Sequence, residues 1–104
     1  MSKELERDIQ KSIIDYLSLK GYFFMKVNTV GIFKQATGSY IPSQSVGAPD
    51  ILVFLDGGVC MAIEVKTSIG KLSPHQEAWK SRSKAIGMDY VVCRSIDDVI
   101  KAGL

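Results

Sequence analysis

Two apolar runs, residues 51–55 and 59–66, flank the tripeptide Asp56-Gly57-Gly58. Both runs are rich in β-branched residues, and the glycines between them are a tight-turn signal, so the pattern predicts an antiparallel hairpin. Side chains alternate along a strand, so Glu64 and Lys66 share one face and Val65 takes the other. A three-residue loop sets Leu55 opposite Val59, and stepping back along both strands brings Asp50 opposite Glu64. Directly paired residues point to the same face with Cβ atoms about 5 Å apart. This register gathers Asp50, Glu64 and Lys66 into one cluster, whereas a one-residue slip turns one carboxylate away.

The remaining pattern builds a frame around that hairpin. Leu5, Ile9, Ile13 and Leu17 recur at i+4 with Tyr16 beside them, which predicts a helix from Glu4 to Lys20 ended by Gly21. Residues 22–27 read as a strand. Residues 28–46 are long and irregular, a length that signals a functional segment, a mobile one or a concealed short hairpin. Ser73-Pro74-His75-Gln76 is a helix start, with Ser73 as N-cap, Pro74 at the first position and Gln76 closing a capping box. That helix runs towards Ala85, ends at Gly87 and is expected to pack through Trp79, Ala78 and Ile86. Residues 89–94 form a further strand, and Ser95 caps a short helix over residues 96–102. The helix between the last two strands implies a parallel pair with a right-handed crossover. The fold class is therefore α/β: a mixed four-stranded sheet flanked by helices.

Composition narrows the function classes. The chain has 104 residues, enough for one domain over residues 1–104, with 46% hydrophobic and 23% charged residues. A net charge of +2 is too small to imply nucleic-acid binding by itself, so any such surface needs local clusters of Lys and Arg. Cys60 and Cys93 sit in apolar runs and read as buried reduced thiols. With a single histidine, His75, they give no zinc spacing. No apolar run suffices to cross a bilayer, and the charged N-terminus lacks a signal-peptide core. These features suggest a cytoplasmic protein without a membrane partner.

The hairpin cluster carries the chemistry. Two carboxylates facing each other between apolar flanks repel unless a cation joins them. Mg²⁺ suits such a place, since it binds through one or two carboxylates and keeps several waters. Asp50 and Glu64 fit as ligands, with the Val65 carbonyl as a further oxygen. Lys66 could orient a water or stabilise charge on a phosphate, and the neighbouring carboxylates disfavour its acting as a neutral base. Glu6 lies at the border of the helix stripe and could point towards the metal, or serve only the helix dipole. The dipole accounts for Glu4. Gln76 could reach a phosphate or water, although its capping role already explains it, and His75 reads as a surface residue. The same triplet is also compatible with solvated surface charges on an ordinary αβ domain.

The combination Gly47-x-Pro49-Asp50 followed by Glu64-Val65-Lys66 resembles the PD-(D/E)XK nuclease superfamily. The closer resemblance is to its virus-type replication-repair nuclease family, VRR-NUC. Glu6-x-x-Ile9-Gln10-x-x-Ile13-x-x-Tyr16-Leu17 with Gly21 is similar to that family's first helix. Lys26-Val27-Asn28 with Gly31 resembles its first strand and turn, and Gly70-Lys71-Leu72-Ser73-Pro74-x-Gln76 its segment after the lysine. The resemblance implies a restriction-endonuclease-like αβββαβ core. It also implies Mg²⁺ or Mn²⁺ on Asp50 and Glu64, with Glu6 as acidic helper, Lys66 as catalytic lysine and Gln76 in the site. Stand-alone members, from phages and bacteria, look like homodimers that cut branched DNA such as four-way (Holliday) junctions. Candidate DNA contacts are Lys26, Asn28, Lys34, Lys71, Lys80, Arg82 and Lys84, and the segment with Phe33, Lys34, Gln35 and Tyr40 could track a strand or form a dimer arm. Two alternatives are a sequence-reading restriction-type endonuclease and a non-catalytic nucleic-acid-binding domain of the same fold.

Overall fold

The structure is a computed structural model that describes residues 4–27 and 46–104 in full and the backbone of residues 32–34 and 39–41. The elements follow in the order α1 (Glu6–Leu19), β1 (Phe23–Lys26), β2 (Ile32–Lys34), β3 (Ser39–Ile41), β4 (Ile51–Leu55), β5 (Val59–Val65), α2 (Pro74–Ala85), β6 (Asp89–Cys93) and α3 (Ile96–Lys101). Strands β1, β4, β5 and β6 form one sheet in that spatial order, and β2 pairs with β3 separately. The irregular segment thus holds a short antiparallel hairpin, with Phe33 registered against Tyr40. The side chains of Lys34, Phe33 and Tyr40, together with Asn28, Gly31 and Gln35, lie outside the described residues.

The hairpin register is the expected one. Leu55 pairs with Val59 and Ile51 with Ile63. Asp56-Gly57-Gly58 makes a single 3₁₀ turn in which both glycines have positive φ, a conformation any Cβ would oppose. Strand β1 is antiparallel to β4, and β6 is parallel to β5 with Glu64 beside Val92. The mixed four-stranded sheet flanked by helices is therefore as the pattern demanded.

One face of the sheet is closed by α1 and α3. Ile13 and Leu17 of α1, Val99 of α3 and Leu104 pack on Ile51, Val53, Met61, Ile63, Val65 and Cys93. Helix α1 ends in two reciprocal bonds, from Gly21 N–H to Ser18 O and from Tyr22 N–H to Leu17 O, the glycine-terminated form that turns the chain into β1. The hydroxyls of Tyr16 and Tyr22 both donate to the Leu104 carbonyl, at 3.0 and 2.8 Å, fixing the end of the chain to the start of the fold.

Helix α2 lies on the opposite face, against β6. Its packing corrects the expectation from composition: Ala78 is exposed and Ile86 is 78% exposed, while Trp79 is half-buried and Ser83 is buried. Ser83 is tolerated inside because its hydroxyl donates to the Trp79 carbonyl at 2.7 Å. Cys93 is fully buried, and burial pushes its thiol up to about 12, whereas Cys60 is only half-buried. No described helix is long and apolar enough to cross a membrane.

Because Ile63 is fully enclosed between α1 and the sheet, Ile63→Ala should lower unfolding free energy by about 2–5 kcal/mol, read from denaturant melts.

Candidate active site

Asp50 stands one residue before β4, and its backbone continues the ladder. Its N–H donates to the Ile63 carbonyl at 3.0 Å and its carbonyl accepts the Val27 N–H at 2.8 Å. One step beyond the Ile51–Ile63 pair, this places Asp50 opposite Glu64, as the turn arithmetic required. The Asp50 carboxylate Oδ2 accepts the Val65 N–H at 2.6 Å, so it is tied to the main chain of β5.

Gly47 explains how Asp50 is delivered. It has φ +83°, and a Cβ there would stand 2.6 Å from the backbone carbon and Cβ of His75. Only glycine lets the chain run this close to the first turn of α2. Ala48 and Pro49 are buried behind it, which holds Asp50 against the sheet.

Glu64 is 1% exposed. Gln76 Nε2 donates to its Oε1 at 2.8 Å, and the Tyr90 hydroxyl approaches its Oε2 at 3.4 Å. Burial, followed by the charge of Asp50 and a hydrogen bond with it, pushes the Glu64 carboxyl up to about 8, against the opposing charge of Lys66. Burial and the Glu64 charge likewise raise the Tyr90 phenol. Lys66 follows on the same face and is 8% exposed, an unusual burial for a lysine unless it faces opposite charge.

Gln76 caps α2 and also reaches Glu64, a partner other than the phosphate or water that its sequence position suggested. Its Oε1 accepts the Ser73 N–H at 2.9 Å while Ser73 Oγ accepts the Gln76 N–H, completing the capping box. The same amide then turns its NH₂ to Glu64. A glutamate would cap equally well but could not donate to a carboxylate.

Other candidates fall elsewhere. Glu6 opens α1 and is exposed. Glu4, assigned only to the helix dipole, instead accepts the Ser68 N–H at 2.9 Å and the Ser68 hydroxyl at 2.6 Å, bonds that hold its carboxyl below the usual range. Lys26 is exposed, and its pairing with Ile51 sends it to the α1 face, opposite the carboxylates. Lys80 and Lys84 line a groove of about 280 Å³ with Tyr90, whereas Arg82 lines a separate one with His75 and Trp79. Lys71 is exposed just before α2. Tyr90 was legible only as one strand residue among others, since its approach to Glu64 depends on the parallel β5–β6 register.

The donor set fits a hard divalent cation. Asp50 and Glu64 offer carboxylate oxygens and repel each other when both are charged.

A mixed sheet carrying Asp50, Glu64 and Lys66 together on adjoining strands is the arrangement of a PD-(D/E)XK-type nuclease. The comparisons agree. The VRR-NUC domain profile matches residues 29–97. A solved structure described as a VRR-NUC domain superposes with a TM-score of 0.66 at 29% identity, over 92% of this chain and 90% of that one. No curated protein matches. The chain belongs to the VRR-NUC family, a family of nucleases that generally depend on divalent metal.

The raised Glu64 carboxyl gives a signed prediction. Between its ordinary 4.5 and about 8, the metal-free folded protein holds a proton on Glu64 that the unfolded chain releases. Stability in chelator should therefore fall as pH rises through that window, and Glu64→Gln should flatten the slope in thermal melts at stepped pH. Divalent metal should raise the melting temperature most at the alkaline end, where it no longer competes with that proton. Gln76→Glu should keep the α2 cap yet set a like charge against Glu64, lowering nuclease rate more than melting temperature.

Proposed function

We propose that this protein is a Mg²⁺- or Mn²⁺-dependent deoxyribonuclease that hydrolyses phosphodiester bonds in branched DNA, four-way junctions foremost, as a homodimer. The observation that carries the reading is the buried Glu64 carboxyl facing Asp50, with the buried Lys66 next on the same strand face, a charge cluster that an apolar hairpin has no structural use for. Asp50, Glu64 and the Val65 carbonyl would hold the cation, which supplies Lewis acidity to a phosphoryl oxygen and makes water a better nucleophile.

The protein's own groups do the rest. Asp50 is fixed by three main-chain bonds and keeps its Oδ1 free of the Val65 amide. Gln76 and Tyr90 orient the two oxygens of Glu64. Lys66 brings a positive charge to where negative charge develops on the phosphate, or aligns the attacking water. Glu6, exposed at the start of α1, has a weaker place in the site than the other four. Lys80 and Lys84 sit one helical turn apart in the groove beside Tyr90, where they would contact successive phosphates of the bound strand. Lys71 adds an exposed cation just before α2 and Arg82 another in its last turn, and binding should weaken with salt.

One site cuts one strand, so paired cuts in a symmetric junction call for two copies related by a two-fold axis. The test is a labelled panel of four-way junction, flap, single-stranded and linear duplex DNA with Mg²⁺, Mn²⁺ or EDTA. Fastest cutting of the junction, a dimer in sedimentation velocity, and loss of about 10²–10³-fold in rate for Lys66→Ala are expected. Cutting at one fixed sequence irrespective of branching would show a restriction-type enzyme. Binding without cutting in either metal would show a non-catalytic module.

A further inference from the structure

Between β5 and α2 the chain makes a short turn, residues 67–70, closed by a bond from Gly70 N–H to the Thr67 carbonyl at 3.2 Å. Two charged side chains from distant parts of the sequence hold it. Arg94 Nη1 donates to the Thr67 carbonyl at 2.5 Å and to the Gly70 carbonyl at 2.8 Å. Glu4 takes the amide and hydroxyl of Ser68 at the turn's tip. A cation thus grips the turn's carbonyls and an anion its N–H.

Arg94 is itself held firmly. Its N–H donates to Asp98 Oδ2 at 2.8 Å in the first turn of α3, and Ser95 caps that helix through Asp98 N–H. The Lys66 N–H donates to the Cys93 carbonyl at 3.1 Å, so Arg94 sits where the β5–β6 ladder runs out beside the lysine. The turn in turn covers Lys66. A Cβ at Gly70 would meet Lys66 Cδ at 3.3 Å, so the turn's backbone lies on the lysine stem, and Lys66 is 8% exposed.

We propose that Arg94 and Glu4 are positioning residues that clamp the 67–70 turn over the Lys66 stem and so limit where its amine can go. Neither touches the reacting atoms. Their acceptors and donors are turn groups, and the guanidinium is spent on neutral carbonyls. The catalytic part of this inference rests on the nuclease reading, whereas the clamp itself does not.

The test uses full-length wild type, Arg94→Ala, Arg94→Lys, Glu4→Gln and Lys66→Ala, with Arg94→Ala also placed in the Lys66→Ala background. Site-resolved acetylation by acetic anhydride, followed by mass spectrometry, reads Lys66 accessibility without any activity. Arg94→Ala should raise Lys66 labelling severalfold while other lysines keep their rates. It should lower kcat on junction DNA by about 10–100-fold, the usual size for a residue supporting a catalytic group. KM should stay within about twofold. Arg94→Lys, which can still donate to a carbonyl, should recover part of both, and Glu4→Gln should give a smaller effect in the same direction. Added to Lys66→Ala, Arg94→Ala should cost nothing further, because both act through one amine.

Unchanged Lys66 labelling in a folded Arg94→Ala protein would overturn the clamp. An additive loss in the double variant would show that Arg94 acts elsewhere. If wild type cuts no DNA, the nuclease reading fails, and the labelling result still decides whether the turn holds Lys66. Should Arg94→Ala fail to fold, Arg94→Lys and Glu4→Gln carry the same labelling comparison.

Discussion

The site depends on the pairing of Ile51 with Ile63. That register is fixed twice over, by a glycine turn that permits one closure and by an apolar face that must meet α1. Ile51, Val53, Met61 and Ile63 bury together on one side, so the alternate positions Asp50 and Glu64 are forced together on the other. The carboxylate pair is a by-product of core packing in geometry, although not in energy. Hydrophobic burial supplies the driving force, and the repulsion it leaves between the acids is what a divalent cation would relieve.

Much of this arrangement was legible in the sequence because the relevant signals are local. Alternation, turn residues and capping boxes act within a few residues, and they located the helices, the four strands of the main sheet and the facing positions of Asp50 and Glu64. What escaped depended on contacts between distant segments. Glu4 and Arg94 are 90 positions apart and come together at the 67–70 turn. Tyr90 reaches Glu64 by a parallel register that no turn specifies. Helix α2 has too few apolar residues to reveal its buried side, and its inward group proved to be a serine whose hydroxyl is satisfied within the helix. The 28–46 segment has no periodicity strong enough to announce its hairpin.

Helix α2 also links folding and chemistry. Its first turn receives Gly47 at a distance that admits no side chain, and its third residue caps the helix while binding Glu64. The start of the helix is therefore set by the same contacts that set the acids. Any displacement of α2 along the sheet would break the cap, the Gly47 contact and the Glu64 bond together, which makes intermediate positions costly and the site stiff. Stiffness of this kind suits electrostatic catalysis, where groups must already stand in place when charge develops.

The two acids are held in unlike ways, and this bears on how they would share a cation. Asp50 is bound by main-chain groups on both neighbouring strands, so it moves only if the sheet moves. Glu64 is held by side chains alone, from α2, β6 and Asp50 itself, and its carboxyl carries the burden of desolvation. Asp50 would therefore serve a bound cation as the fixed post, while Glu64 would be the member that gives up a proton to take it. Lys66 offsets part of that burden, and it does so only as well as its amine is kept close. A turn pinned from two sides over the lysine stem is the simplest way to secure this, since a free lysine side chain would otherwise swing out into water.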